Sequence, residues 1–266
     1  AAVYITTSEN MESYKEPVKI YKCDFSYCYA DVGGAVYIQS TETNRLFDIN
    51  GSTFSRNTYN SQGDLDSKKG GAIFIKAPQS CARIVDCTFD TNTCGNGGAI
   101  YYIQDDLEPS TTSALEVNNY ALYISGCNFR KNEGQSNGGA IYITITNTQS
   151  LKPIEINNCE FNQNKADHKD EERGGAIYFS FESTNDQNFV FTVTDCSFKK
   201  NTVAYYGGAI FLSLTKDHKS LEININHCTF NENVAKNAVE GTANQGSGAD
   251  IYYTIDSEST SSATST

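Results

Sequence analysis

The stretch CEFNQNKADHKDEERGGAIYFSF, residues 159–181, is one unit of a frame that recurs along the chain. CTFDTNTCGNGGAIYYI begins at Cys87, CNFRKNEGQSNGGAIYITI at Cys127 and CSFKKNTVAYYGGAIFLSL at Cys196. The constant part is Cys-x-Phe-x-x-Asn, then a loop of any length, then Gly-Gly-Ala-Ile-aromatic. Self-similarity of this kind marks a repeat architecture, and the repeat must be settled before any local reading.

Outward from that unit, seven copies align on Phe25, Phe54, Phe89, Phe129, Phe161, Phe198 and Phe230, spaced 29, 35, 40, 32, 37 and 32 residues apart. Two residues earlier stand Cys23, Ser52, Cys87, Cys127, Cys159, Cys196 and Cys228. Three residues later stand Cys28, Asn57, Asn92, Asn132, Asn164, Asn201 and Asn233. Glycine pairs follow at 33–34, 70–71, 97–98, 138–139, 174–175 and 207–208, and the seventh copy reads GADIY at 248–252.

Each unit holds three short alternating runs: one before the cysteine (IEI at 154–156, FTV at 191–193, INI at 223–225), the Cys-x-Phe run, and Gly-Ala-Ile-aromatic. Alternation with a period of two signals a strand with one buried and one wet face. Three strands per unit and no helical segment predict an all-β chain, a parallel β-helix of about seven three-strand coils over residues 1–256. A propeller blade would need four strands in about 40–45 residues. At a strand spacing of about 4.8 Å, the rod should be roughly 35 Å long.

Register assigns the faces. Phe and Cys should point inward with Ile156, Val193 and Ile225, as should Ile100, Ile141, Ile177 and Ile210. Ala and the following aromatic should then point out. Phe should stack on itself from coil to coil. The asparagines Asn57, Asn92, Asn132, Asn164, Asn201 and Asn233 should chain their amides at a buried bend, each bond contributing about 0.5–1.5 kcal/mol. Asn132→Ala should therefore cost about 1–3 kcal/mol, and a change within about 0.5 kcal/mol would mean that these amides face solvent. The glycine pair lets the chain turn without a Cβ penalty. Six of the nine cysteines share the interior stack and read as packed thiols, small buried hydrophobes. Cys28 takes a ladder position, and a bridge between Cys81 and Cys94 is open.

Paired GGAI and FxxN motifs at variable spacing resemble the passenger repeats of chlamydial polymorphic outer membrane proteins. GGAI is intact around Gly71, Gly98, Gly139, Gly175 and Gly208, with GGAV at Gly34, and FxxN is intact in six units and becomes FSYC in the first. The likeness covers roughly residues 1–255. It implies a right-handed parallel β-helix, surface exposure and adhesion.

Composition narrows the partners. A net charge of −12 and pI near 4.7 exclude nucleic acid, whose phosphates need clustered Lys and Arg. No apolar run approaches about 18 residues, so nothing reads as membrane-spanning. The chain opens on Ala1 rather than Met, and AAVYI at 1–5 is a clipped copy of GGAVYI at 33–38, as expected of a piece with an open strand edge. SESTSSATST, residues 257–266, reads as a flexible tail or glycosylated stalk. Asn50 in NGS is a candidate N-glycosylation site.

A glycan-cleaving β-helix would need carboxylates converging at fixed separation, or a calcium cluster with a base. No outward column supplies them. The acids fall in loops at 64–69, 105–108 and 167–173, where Asp167, His168, Asp170 and Glu171 match no usual metal spacing. No catalytic, cofactor-binding or metal site is expected, and no cofactor. The most distinctive surface feature is the aromatic column Tyr37, Phe74, Tyr101, Tyr142, Tyr178, Phe211 and Tyr252 beside Ala35, Ala72, Ala99, Ala140, Ala176 and Ala209. Such a flat amphipathic strip suits protein or sugar partners, and equally suits ring-on-ring stacking within the sheet. The expectation is a non-enzymatic extracellular or cell-surface structural or adhesion protein. Its partner would be a protein, a glycan or itself end to end, and the alternative is a carbohydrate-binding or carbohydrate-cleaving β-helix.

Overall fold

The computed structural model describes all residues except 8–15, 43–44, 60–63, 78–79, 106–119, 147–151, 167–171, 183–187, 216–220, 237–247 and 257–266. The described residues form a right-handed parallel β-helix in which every named strand pairing is parallel and joins a residue to its equivalent one coil away. Phe89, Phe129 and Phe161 occupy one register position, and Ile100, Ile141 and Ile177 another. Apart from strands, the described residues include one 3-10 turn, Leu65–Ser67.

Four sheets run along the rod, not three. The pre-cysteine sheet and the Cys-x-Phe sheet have seven strands each, and the Gly-Ala-Ile sheet has eight because Val3–Thr7 pairs with Val36–Ser40. The additional sheet has five short strands just after the asparagine, among them Thr93–Asn96, Glu133–Asn137 and Lys165–Ala166. These two- to five-residue strands carry no apolar alternation for a sequence reading to catch.

Corners, more than strands, set the frame. Each coil turns through three residues with positive φ. The first immediately precedes the Cys or Ser: Lys22, Gly51, Asp86, Gly126, Asn158, Asp195 and His227. The second immediately precedes the ladder position and is never glycine: Tyr27, Arg56, Thr91, Lys131, Gln163, Lys200 and Glu232. The third is the first glycine of each pair. Left-handed backbone costs an L-residue about 1–2 kcal/mol, so the second column needs outside support.

That support is the asparagine ladder. From Asn57 to Asn201, each Asn Nδ2 donates back to the Phe carbonyl of the preceding coil and forward to the next Asn Oδ1, while the backbone N–H donates to the same Oδ1. From Asn57 to Asn233 these bonds measure 2.9–3.1 Å. Asn57, Asn92, Asn132, Asn164 and Asn201 are wholly buried; from Asn92 to Asn201 both amide protons are given and the oxygen accepts twice, while Asn57 Oδ1 accepts from the Cys28 N–H. Such satisfaction is what a polar side chain needs inside a core.

The interior holds the predicted phenylalanine stack, Phe25 to Phe230, with centroids 4.7–5.0 Å apart and planes within 10°. The cysteine stack is more polar than expected. Cys87, Cys127 and Cys159 each donate a backbone N–H to the next sulfur at 3.4 Å. Each thiol also donates to the carbonyl two residues earlier, at 3.2–3.3 Å. Ser52 does the same with its hydroxyl, accepting from Cys23 N–H and donating to the Asn50 carbonyl. The site selects a small donor–acceptor, which explains why serine is the one exception in the column.

Two expectations change. Ala35, Ala72, Ala99, Ala140, Ala176 and Ala209 are wholly buried core residues, not surface. They lie on the corner before the strand begins, as at Val36 and Ile100, so strand parity does not reach them. The second glycine is also not a turn residue. A Cβ at Gly139 would lie 2.0 Å from the Gly175 carbonyl oxygen of the next coil, and one at Gly175 2.1 Å from that of Gly208. Glycine there permits coils to approach.

Candidate functional site

The aromatic column stands on the outward positions of the eight-stranded sheet, as its parity dictates, and Tyr4 adds an eighth ring. From Tyr4 through Tyr37, Phe74, Tyr101, Tyr142, Tyr178 and Phe211 to Tyr252, successive centroids are 4.6–5.7 Å apart with planes within 20°. The rings spend their faces on one another, and offset stacking adds about 0.5–1.5 kcal/mol per pair.

Much of the file is also covered from outside. Phe211 is 0% exposed, whereas Tyr37, Tyr142 and Tyr252 are half-buried and Tyr4 is 67% exposed. The cover comes from a column that sequence reading missed, the residue just before each glycine pair: Val32, Lys69, Asn96, Asn137, Arg173 and Tyr206, bridged coil to coil. Lys69 Nζ lies 5.2 Å over the Tyr101 ring and the Arg173 guanidinium 5.4 Å over Phe211, while Tyr206 stacks on Tyr252. Asn137 bonds Asn96, and Arg173 N–H donates to Asn137 Oδ1. A fixed offset from the first glycine was the available signal. Burial, with Asp105 and Glu182 near Tyr101 and the neighbouring tyrosines near Tyr142, pushes both phenols well above their usual range. They remain neutral at any ordinary pH.

The remaining candidates do not converge. All nine cysteines are free thiols. Cys81 and Cys94 sit in different sheets, and burial pushes them up to about 11 and about 12, so neither is a neutral-pH thiolate. His227 is an exposed corner residue with Nδ1 3.7 Å from Asp195. Asp64 caps the turn at Leu65–Ser67 and Asp105 pairs with Lys76 at 2.7 Å. Asp167, His168, Asp170, Glu171 and His218 lie outside the described residues. Among the described residues no three His, Cys, Asp or Glu side chains gather as a metal would need. Nor is any helix there long and apolar enough to cross a membrane.

Asn50 ends the strand Leu46–Asn50, half-buried at a corner. Ser52 of its sequon is buried with its hydroxyl engaged, so a sugar would have to be attached before this coil closes.

Against known proteins, four stretches, residues 86–102, 126–144, 158–180 and 195–213, match the Chlamydia polymorphic membrane protein repeat. The chain is also 28% identical over 184 residues to a "Probable outer membrane protein PmpE" of Chlamydia trachomatis serovar D. That match covers 67% of this chain and only 17% of the relative. No solved structure matches it. The four matched stretches run from just before Cys87, Cys127, Cys159 and Cys196 into the following GGAI strand, so the chain resembles the chlamydial polymorphic membrane protein repeats over the same residues that build its coils.

Proposed function

We propose that this chain is a non-enzymatic structural and adhesion repeat of the extracellular or cell-surface space, with residues 1–256 as one β-helix and 257–266 as a flexible tail. A surface location is supported by the likeness to a probable outer membrane protein and to the polymorphic membrane protein repeat. The observation that carries the reading is how fully the frame occupies itself. Phenylalanines, asparagines, thiols and outer rings each contact their own copies one coil away. Chemistry specific to a partner then falls to the loops, the half-buried tyrosines and the ends.

Carbohydrate is the weaker occupant of the ring file. Sugars pack on ring faces, and here those faces are covered by the next ring; the upper face of Tyr4 is the exception. A protein partner can use the edges and hydroxyls of Tyr37, Tyr142 and Tyr252 instead. End-to-end self-association would use the edge strand Val3–Thr7 of the described residues, where Tyr4 is exposed, with Tyr21, Tyr27 and Tyr29 exposed in the coil that follows.

The test is to coat beads with the folded chain and probe them with cell-surface proteins and glycans, while incubating the free chain with acidic and neutral polysaccharides. Retention of a surface protein or glycan without release of reducing or unsaturated ends is expected. Release of such ends would overturn the non-enzymatic reading.

A further inference from the structure

In six successive coils the second glycine faces the carbonyl oxygen of its counterpart in the next coil. A Cβ would stand 2.0 Å from that oxygen at Gly34, Gly139 and Gly208, and 2.1–2.3 Å at Gly71, Gly98 and Gly175. Real Cβ atoms essentially never come within 3.0 Å of such an atom. In the seventh coil this position is Ala249. Its methyl group occupies the place that the carbonyl of a following coil would need.

The next residue changes as well. The column of wholly buried alanines, Ala35 to Ala209, ends at Asp250. Asp250 Oδ1 accepts a hydrogen bond from Asn233 Nδ2 at 3.0 Å. In the five preceding coils, Asn57 to Asn201, that proton goes to the Oδ1 of the next asparagine, at 2.9–3.0 Å. The carboxylate thus supplies from within the seventh coil the acceptor that an eighth would have brought. Meanwhile the backbone stays in register, with Ala209 and Ile210 N–H both donating to the Asp250 carbonyl.

We infer that Ala249 and Asp250 close this end of the solenoid to any further coil of the same frame, whether from flanking chain or from another copy. One residue removes the space and the other satisfies the ladder. Whatever precedes Val3, the face beyond Ala249 does not accept the strand Val3–Thr7 of another copy. An end-to-end assembly of this chain cannot therefore be a head-to-tail filament of stacked coils. This deepens the self-association part of the proposed function and does not depend on adhesion.

Restoring the frame with A249G/D250A tests it. The mass by light scattering of the double variant should rise with concentration, at least doubling, with rods in electron micrographs, while the native chain forms no head-to-tail rods. Equal masses for native and variant at all concentrations would overturn the inference, as would native rods cross-linked between the strands Val3–Thr7 and Ile251–Asp256. Hydrogen exchange in the native monomer reads the ladder end separately. D250A should exchange the amides of 229–235 several-fold faster than native, and D250N, which keeps an oxygen for Asn233, should match native. Identical rates in D250A would overturn the capping role. Loss of adhesion with these results intact would touch the proposed function alone.

Discussion

The asparagine corner and the outer ring file are both stacks of like side chains, and they answer to different demands. Inside the corner stack, Asn92, Asn132, Asn164 and Asn201 admit no substitute, because each amide must give two protons and receive two, and only the end coil, at Cys28, departs from asparagine. In the ring file, Phe74 and Phe211 replace tyrosine freely among six tyrosines, because stacking needs a ring and nothing more. Strict repetition marks where the backbone depends on a side chain. Loose repetition marks where only a shape is required, and there a partner is free to select.

The largest break should come at a position that belongs to neither stack. Gly139→Ala puts a methyl group 2.0 Å from the Gly175 carbonyl and should cost more than about 3 kcal/mol, or prevent folding, in urea melts. Asn132→Ala removes the amide that serves Asn92, Phe89 and Asn164, and should cost about 3 kcal/mol in the same measurement. Tyr142→Ala should cost about 1–2 kcal/mol through two lost stacks, and Tyr142→Phe under about 0.5 kcal/mol. If Tyr142→Phe costs as much as Asn132→Ala, the contrast fails. Cys127→Ser should be within about 0.5 kcal/mol, as Ser52 indicates, against about 1–2 kcal/mol for Cys127→Ala. The smallest effect is a gain. Thr91→Asn, at a β-branched residue with φ near 59°, should stabilise by up to about 1 kcal/mol.

The sequence displays the corner plainly because six of the seven coils carry the same residue type at a fixed offset from phenylalanine. The strands were legible for the same reason, since Ile177, Phe179 and Phe181 face one way throughout. Three features were hidden, two because their causes lie in the next coil and one because a corner interrupts the alternation. The second glycine is dictated by a carbonyl some thirty residues away, the cysteine by a neighbour's backbone N–H, and the alanine by a corner that breaks strand parity. The covering of the rings by Lys69 and Arg173 also joins adjacent coils, so a unit read alone cannot display it.

The Cys or Ser position and the ladder position stand five apart in all seven units, Cys23 to Cys28 through Cys228 to Asn233, and every length change falls before the glycine pair or between the Gly-Ala-Ile strand and the pre-cysteine strand. The side of the rod from the pre-cysteine corner to the ladder is thus a ruler of constant gauge, and the rest of each unit takes up the differences in length. This separates what can vary from what must hold: a length change elsewhere in a unit leaves the gauge, with every hydrogen bond it keeps, as it was.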